Sequence, residues 1–273
     1  MSRLVVVRGA GDLASGVLAH LYRCGFAVLA LEIEQPAAIR RQAAFCEAVY
    51  DGVQTVEGIT CRRIEDAAQT WNVLQAGEIP LLVDANADCL AQLAPAAVVD
   101  AVIAKKNCGT HIDMAPVVVA LGPGFTAGED CHAVVETMRG HRLGRVFYTG
   151  SAQPDTGTPG LINGYGKERV MHSPASGIMR GVKHIGDIVE KDEILGYVGD
   201  TPVYASLSGV LRGILRDGYR VPTGMKLADI DPRAEQKKNC ITISDKARCI
   251  AGGAMEALMV LGRQKGVHYF ETD

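Results

Sequence analysis

The chain has 273 residues, 48% of them hydrophobic and 22% charged, and this length accommodates one large core or two domains. Its formal charge of -3 and its pI near 6.2 give no positive field that attracts a phosphate backbone, so nucleic acid is not an expected partner. The opening residues are too quickly charged for a secretory signal, and no apolar run approaches the roughly 20 residues of a spanning helix, so a cytoplasmic protein without membrane contact is predicted.

The beginning of the chain predicts a strand–helix–strand unit. Residues 3–8 form a short apolar run that ends at a glycine, which is typical of a strand buried in a parallel sheet. Leu13 to Cys24 has helical spacing and stops at Gly25, and residues 27–33 form the next apolar run. Further apolar runs alternate with mixed segments and predict a Rossmann-like open parallel sheet; they cover residues 80–83, 97–104, 117–121 and 145–148.

The turn after the first predicted strand has the Gly-x-Gly-x-x-Ala pattern of dinucleotide-binding folds. Its members are Gly9, Ala10, Gly11, Asp12, Leu13 and Ala14. Exposed N–H groups at a helix start attract phosphate, and Glu32 follows at the spacing of a ribose-binding acid. The pattern predicts a bound nucleotide or dinucleotide, and the alternative is a tight turn that binds nothing. The Asp12 carboxylate opposes an anion unless a metal, a lysine or a different ligand offsets it.

Three further pairs are candidate cofactor contacts. Arg40 and Arg41 are either a bidentate phosphate clamp or a solvated surface pair. Gly122 and Gly124 follow a predicted strand, where ligands bind in open α/β sheets. Asp155 and Thr156, in a glycine-rich segment, are expected to approach the same cleft.

Catalytic candidates are the polar residues of the loops in the same half of the chain. These are His111, His132, Glu136, Arg139 and His141. His132 and Glu136 share a face in either a helix or a strand, so they offer a general acid/base pair. The alternative is that each is an ordinary surface residue. The eight cysteines have no Cys-x-x-Cys spacing, which predicts reduced thiols and no metal site.

The composition changes between residues 150 and 166, where glycine, proline and small polar residues dominate. Beyond it, Ser176–Gly181 recurs as Ser208–Gly213, and Gly186–Val189 recurs as Gly218–Val221, with a period of roughly 32 residues. Two such copies close a small β-sandwich. This module resembles the barrel-sandwich of biotinyl and lipoyl carrier domains, but its tip at residues 199–202 has no carrier lysine. A docking or oligomerisation role is therefore predicted.

The predicted domains are residues 1–165 for the Rossmann-like nucleotide-binding domain, 166–235 for the duplicated all-β barrel-sandwich module, and 236–273 for a C-terminal segment. That segment contains a helix over residues 254–261 with Ser244 or Asp245 as its N-cap, and it is expected to pack on the first domain.

Several motifs together resemble the accessory proteins of selenium-dependent molybdenum hydroxylases, whose Rossmann part is related to xanthine dehydrogenase accessory proteins. The matching stretches are residues 8–16, 39–41, 121–125, 136–141, 155–160, 229–233 and 243–248. The resemblance implies a maturation factor that binds a nucleotide form of the molybdenum cofactor, such as molybdopterin cytosine dinucleotide, and assists its insertion or the ligation of its terminal chalcogen. It also implies a molybdenum hydroxylase client, and a homo-oligomer is expected.

A second hypothesis is an NAD(P)-dependent oxidoreductase acting on a small soluble substrate, in which one of the histidines donates a proton. The sequence leaves open whether the protein catalyses a reaction at all.

Overall fold

The computed structural model describes residues 3–157 and 160–270. The chain forms two compact units, and each is discontinuous in sequence. The first comprises Met1–Pro36, Ala44–Thr156 and Ile243–Asp273, and the second comprises Ala37–Ala43 and Gly157–Thr242. The division predicted from the sequence is contiguous, and it did not anticipate that the short segment Ala37–Ala43 belongs to the second unit.

The strands of the first unit are β1 (Val5–Arg8), β2 (Val28–Glu32), β3 (Val53–Val56), β4 (Ile59–Ile64), β5 (Ile79–Val83), β6 (Ala97–Asp100), β7 (Val117–Leu121), β8 (Thr126–Ala127), β9 (Ala133–Val135), β10 (Val146–Phe147) and β11 (Gly150–Ser151). Its α-helices are α1 (Asp12–Arg23), α2 (Ala48–Asp51), α3 (Thr70–Gln75), α4 (Leu90–Leu93) and α5 (Asp245–Lys265). Short 3₁₀ helices cover Phe45–Glu47, Ala67–Gln69 and Ile112–Met114.

Nine strands form one mixed sheet in the order β10-β9-β7-β6-β1-β2-β5-β4-β3. The seven inner strands are parallel, and β3 and β10 are antiparallel edges. The apolar runs of β1, β6 and β7 are completely buried, as strands covered on both faces require. After β1 the chain builds one side of the sheet through β5 and then returns to the other side at β6, so the strand order reverses at β1.

The second unit holds the remaining strands, β12 (Val170–His172), β13 (Gly177–Gly181), β14 (Ile188–Val189), β15 (Ile194–Val198), β16 (Thr201–Tyr204), β17 (Gly209–Ile214), β18 (Arg220–Val221) and β19 (Lys226–Asp231). Its 3₁₀ helices cover Arg41–Ala43, Lys167–Arg169 and Ala234–Ile241. The strands form two four-stranded sheets, β12-β19-β17-β14 and β16-β15-β13-β18. The two copies of the sequence repeat exchange strands: β13 pairs with β18 of the other copy, and β17 pairs with β14.

The predicted fold class, a Rossmann-like open parallel sheet followed by a small barrel-sandwich module, is wrong. The sheet is mixed, because β10 pairs antiparallel with β9 and β3 forms an antiparallel hairpin with β4. Both residues of its two-residue turn, Glu57 and Gly58, have positive φ values, 49° and 79°, as tight hairpin turns of the common type require. The second unit is also not a self-contained module, since residues 37–43 and 234–242 belong to it.

The two long helices, α1 and α5, pack on each other in the first unit. The predicted helix starts are confirmed: α1 follows Gly11, and the Ser244 hydroxyl caps α5 by accepting the Ala247 N–H at 3.1 Å. A Cβ on Gly16 of α1 would lie 2.7 Å from the Ala247 Cβ, so glycine sets the distance between the helices. No helix within the described ranges is both long and apolar enough to cross a bilayer.

Adjacent glycines of α5 provide a matched stability test. A Cβ on Gly253 would collide with the Gly144 carbonyl oxygen and the Val135 side chain, whereas a Cβ on Gly252 meets nothing within 4 Å. We expect Gly253→Ala to lower the free energy of unfolding by about 1–3 kcal/mol through overpacking. Gly252→Ala should raise it by roughly 0.5–1 kcal/mol, because alanine loses less backbone entropy in a helix. Urea unfolding of both variants measures the difference, and equal effects would contradict the packing described.

Candidate functional site

The carboxyl ends of β1 and β6 lie where the strand order reverses, and such a point is where open α/β sheets bind ligands. The turn from β1 to α1 crosses this place. Gly9 has a φ of 98°, and a Cβ there would lie 2.9 Å from the Ala101 carbonyl oxygen, so glycine is required. Gly11 is the N-cap of α1, makes no side-chain cap and has open space where a Cβ would stand. The first turn of α1 is therefore open to a ligand.

Ala10, in the middle of the turn, is held by the protein itself. Its carbonyl oxygen accepts the Ser15 hydroxyl at 3.0 Å and the Cys46 N–H at 2.8 Å. Its N–H donates to Glu32 Oε2 at 2.8 Å, and Glu32 Oε1 accepts the Ile33 N–H at 2.9 Å. Burial raises the pKa of Glu32 above its ordinary value, and the two N–H groups oppose this rise. The carboxylate expected to read a ribose thus binds the turn in this structure.

Carboxylates perform the same task at the neighbouring strand ends. Asp84, after β5, accepts the N–H groups of Asp88 and Cys89 at 3.0 and 2.9 Å. Glu136, after β9, is completely buried and accepts the N–H groups of Met138 and Gln153 at 2.8 and 2.9 Å. These acids fix the loops at the carboxyl edge, so the structure gives Glu136 a positioning role and not the expected acid/base role.

A buried ionic group that the sequence did not reveal links β1, β6 and the loop after β6. Arg8 and Asp100 are 4% and 1% exposed, with 3.5 Å between Arg8 Nη1 and Asp100 Oδ2. The Thr110 hydroxyl accepts from Arg8 and donates to Asp100 Oδ2 at 2.5 Å. Arg8 Nη2 also donates to the Cys108 carbonyl oxygen at 3.2 Å. The sequence did contain one indication of this ionic group, since β1 ends in an arginine, Arg8, and β6 ends in an aspartate, Asp100.

The loop from residue 101 to 110 is strained and lies between two glycine turns. Ile103 and Lys105 have φ values of 57° and 63°, which side-chain-bearing residues rarely adopt. Gly9 lies against the start of this loop, and a Cβ on Gly124 would lie 2.6 Å from the Lys106 Cα. Lys105 Nζ lies 2.8 Å from Asp155 Oδ2. The predicted residues Gly124 and Asp155 therefore contact this loop, with Thr156 next in sequence, whereas a Cβ on Gly122 would lie 2.6 Å from the Thr137 hydroxyl oxygen.

Lys246, in the first turn of α5, is a lysine whose charge interacts with that of Asp12. Burial and then Arg139 lower the pKa of Lys246, whereas the charges of Asp12 and Glu136 act in the opposite direction. Lys246 is therefore within the range of Coulombic interaction with Asp12 and Glu136. Arg139 also forms a bidentate ion pair with Asp245, at 2.8 and 2.9 Å. The sequence predicts that a lysine could offset Asp12 but does not identify it, because α1 and α5 come together only through helix packing.

Other predicted residues have different surroundings. Arg40 and Arg41 belong to the second unit: Arg40 Nη2 donates to the Thr242 carbonyl oxygen at 2.8 Å, and Arg41 Nε to that of Ile214 at 3.2 Å. These bonds hold a backbone and are not a phosphate clamp. His111 and His141 are exposed.

His132 and Glu136 do not form a pair. His132 precedes β9 and Glu136 follows it, so the length of the strand, about 13 Å for four residues, separates them. Among the described residues no group of three or more His, Cys, Asp or Glu side chains is arranged to hold a metal ion.

No family model matches the chain. Solved structures to which it is similar include the product-bound ectoine utilization protein EutE (DoeB) from Ruegeria pomeroyi, at 12% identity, 83% of this chain, 84% of that chain and a TM-score of 0.26. A succinylglutamate desuccinylase/aspartoacylase from Rhodobacter sphaeroides has 14% identity, the same coverages and a TM-score of 0.26. An aspartoacylase family protein from Mesorhizobium loti has 12% identity, the same coverages and a TM-score of 0.28. At these TM-scores the likeness carries no argument about substrate.

A curated relative is much more similar in sequence. It is the uncharacterized protein YqeB of Escherichia coli K12, 51% identical over 262 residues, which are 96% of this chain and 48% of the relative. The chain thus spans about half the length of the curated relative that it matches.

The comparisons correct the functional expectations. The curated relative bears no functional description, and no family model supports the motif resemblance. Nothing in these comparisons points to a selenium-dependent molybdenum hydroxylase accessory protein, and that interpretation is given up. Its molybdenum hydroxylase client and the alternative of an NAD(P)-dependent oxidoreductase are given up with it.

The buried ionic group makes a testable contribution to stability. We expect Asp100→Asn to lower the free energy of unfolding by roughly 3–5 kcal/mol, because it leaves the Arg8 guanidinium buried without its counter-charge. Asp88→Asn is the control, since Asp88 is exposed and its change should stay within about 0.5 kcal/mol. Chemical denaturation compares the two variants with the parent. A small loss for Asp100→Asn would show that Arg8 finds solvent or another partner.

Proposed function

We propose that the first unit binds a phosphate-bearing small molecule of the nucleotide class at the start of α1. The observation that carries this proposal is the uncapped helix start at Gly11, and the charge interaction between Lys246 and Asp12 of the same helical turn supports it. The N–H groups of the first helical turn and the helix dipole attract an anion, and a lysine beside them supplies the positive charge.

The charges around the turn explain why a lysine is needed there. Glu32 and Asp12 bring negative charge to the turn that would hold the phosphate. Each opposes an anion, and Lys246 compensates for part of this repulsion. Because the Ala10 N–H already donates to Glu32, the phosphate would take the N–H groups that follow Gly11. The strained loop that begins at Ala101 provides the opposite wall.

Substitution of Gly11 tests whether the helix start is the binding site. An aspartate at this N-cap should accept the first-turn N–H groups and stabilise the fold by a few tenths of a kcal/mol, roughly the advantage of aspartate over glycine at an N-cap. The same carboxylate should abolish binding of pyrophosphate and ADP, measured by isothermal titration calorimetry. Gly11→Asn has the same shape without the charge and should weaken binding less. Unchanged binding by Gly11→Asp would overturn the proposal.

Substitution of Lys246 tests the source of the positive charge. Loss of one charge-assisted hydrogen bond, about 1.5 kcal/mol, corresponds to a roughly tenfold weaker affinity of Lys246→Gln for pyrophosphate and ADP. Lys265→Gln is the matched control, because Lys265 lies in the last turn of the same helix, about 28 Å away at 1.5 Å per residue. Equal affinities of the Lys246→Gln variant and the parent would remove Lys246 from the site.

We also propose that the protein acts in the cytoplasm. All eight cysteines are free thiols, and Cys46 and Cys61 are deeply buried, as expected of a chain that keeps its cysteines reduced.

A further inference from the structure

The opposite edge of the same sheet contains a large cavity that the proposed function does not use. Its volume is about 970 Å³, which is within the range of small-molecule sites. The residues that line it come directly before β1, β6, β7 and β9 and from the end of α5, so the cavity opens at the amino ends of the strands.

The walls of the cavity are mostly apolar. Leu90, Ile112, Met114, Val267 and Phe270 contribute to the lining, together with the prolines that precede β6 and β7. The wall formed by the end of the chain is anchored. The Tyr269 hydroxyl donates to the Leu258 carbonyl oxygen at 3.1 Å, and the Phe270 ring packs edge-on against Phe26 with 4.8 Å between centroids. An apolar ligand body therefore has a defined surface to contact.

The charged side chains that line the cavity have a net positive charge. Arg3 and Lys265 are cationic, Asp113 is anionic, and His132 and His268 gain charge only by protonation. The balance of the permanently charged side chains is positive, which favours an anionic group on the ligand.

His132 is fixed in one tautomer by the backbone. Its Nδ1 accepts the Val118 N–H at 3.0 Å, so the hydrogen of the neutral ring is on Nε2. Burial and then the charge of Lys265 lower the pKa of His132, and although the charge of Asp113 acts in the opposite direction, the net lowering favours the neutral ring. The Nε2–H group therefore remains a hydrogen-bond donor at neutral pH.

Lys265 Nζ lies 2.7 Å from this same His132 Nε2. An ammonium group has only donors, and Nε2 of this tautomer is also a donor. Two donors therefore face each other at hydrogen-bond distance without an acceptor between them. An oxygen that accepts from both relieves this mismatch, and a carboxylate has two such oxygens.

We propose that this cavity is a binding site for a small organic carboxylate with an apolar body. The carboxylate oxygens accept from His132 Nε2 and Lys265 Nζ, and the hydrocarbon part lies against the apolar wall. The ligand enters from the edge of the sheet opposite to the phosphate site, so the two sites are independent.

Octanoate and 1-octanol are the probes for this site, used with the full chain labelled with ¹⁵N. We expect octanoate to bind at least tenfold more tightly than octanol and to shift the ring nitrogen resonances of His132. Octyl phosphate is included to separate a carboxylate site from a general anion site, and it should bind more weakly than octanoate. Tighter binding of octyl phosphate, or an affinity of octanol equal to that of octanoate, would overturn the carboxylate assignment.

Two variants test the donors. Lys265→Met keeps the length and apolar stem of the side chain, and it should reduce the preference for octanoate over octanol about tenfold.

In His132→Asn the amide oxygen replaces Nδ1 as acceptor for the Val118 N–H, whereas the Nε2 donor is lost. It should weaken octanoate binding with little change in melting temperature. Lys246→Gln should leave octanoate binding unchanged, so failure here is distinguishable from failure of the phosphate site. Unaltered octanoate affinity in both Lys265→Met and His132→Asn would sink the proposal.

Discussion

Carboxylates at the ends of parallel strands hold the loops of the first unit in place. Glu32 accepts the Ala10 and Ile33 N–H groups, Asp84 those of Asp88 and Cys89, and Glu136 those of Met138 and Gln153. A buried loop N–H without an acceptor costs free energy comparable to a lost hydrogen bond, so these acids allow irregular backbone at the edge of a fully buried sheet. These three acidic side chains are consequently committed to structure, and the proposed phosphate site rests on the α1 start and Lys246 instead.

The last helix relates the two edges of the sheet. With 21 residues, α5 is about 31 Å long, which exceeds the length of the strands that it crosses. Its first turn brings Lys246 towards Asp12 and Glu136, and its last turn brings Lys265 to His132. The close approach of α5 to α1, through Gly16 and Ala247, fixes both lysines with respect to the sheet. The packing of α5 on α1 thus helps to position both Lys246 and Lys265, which lie at opposite ends of the helix.

The second unit is built by exchange between two copies of one sequence pattern. The long strand of each copy pairs with the short strand of the other, so neither copy completes a sheet alone. The unit recruits Arg40, whose guanidinium donates to the carbonyl oxygens of Asn239 and Thr242. Buried Asp229 joins Arg169 and Arg212 at 2.9 and 3.2 Å. Arg40 and Arg41, which the sequence offered as phosphate ligands, thus bind backbone carbonyl oxygens in this unit.

Local patterns determined the parts of this protein whose signal lies within a few residues. The apolar run of β1, the periodicity of α1, the Ser244 cap and the internal repeat follow from short-range sterics and hydrogen bonding, and the sequence predicts them. The Glu57-Gly58 turn is equally local, but the apolar runs used to predict strands do not include residues 53–64, so they do not predict this hairpin or the mixed sheet. Only the tertiary structure decided which charges meet: Arg8 with Asp100 and Thr110, Lys246 with Asp12, and His132 with Lys265. These partners are far apart in the chain, and side-chain spacing carries no information about contacts that arise from strand order and helix packing.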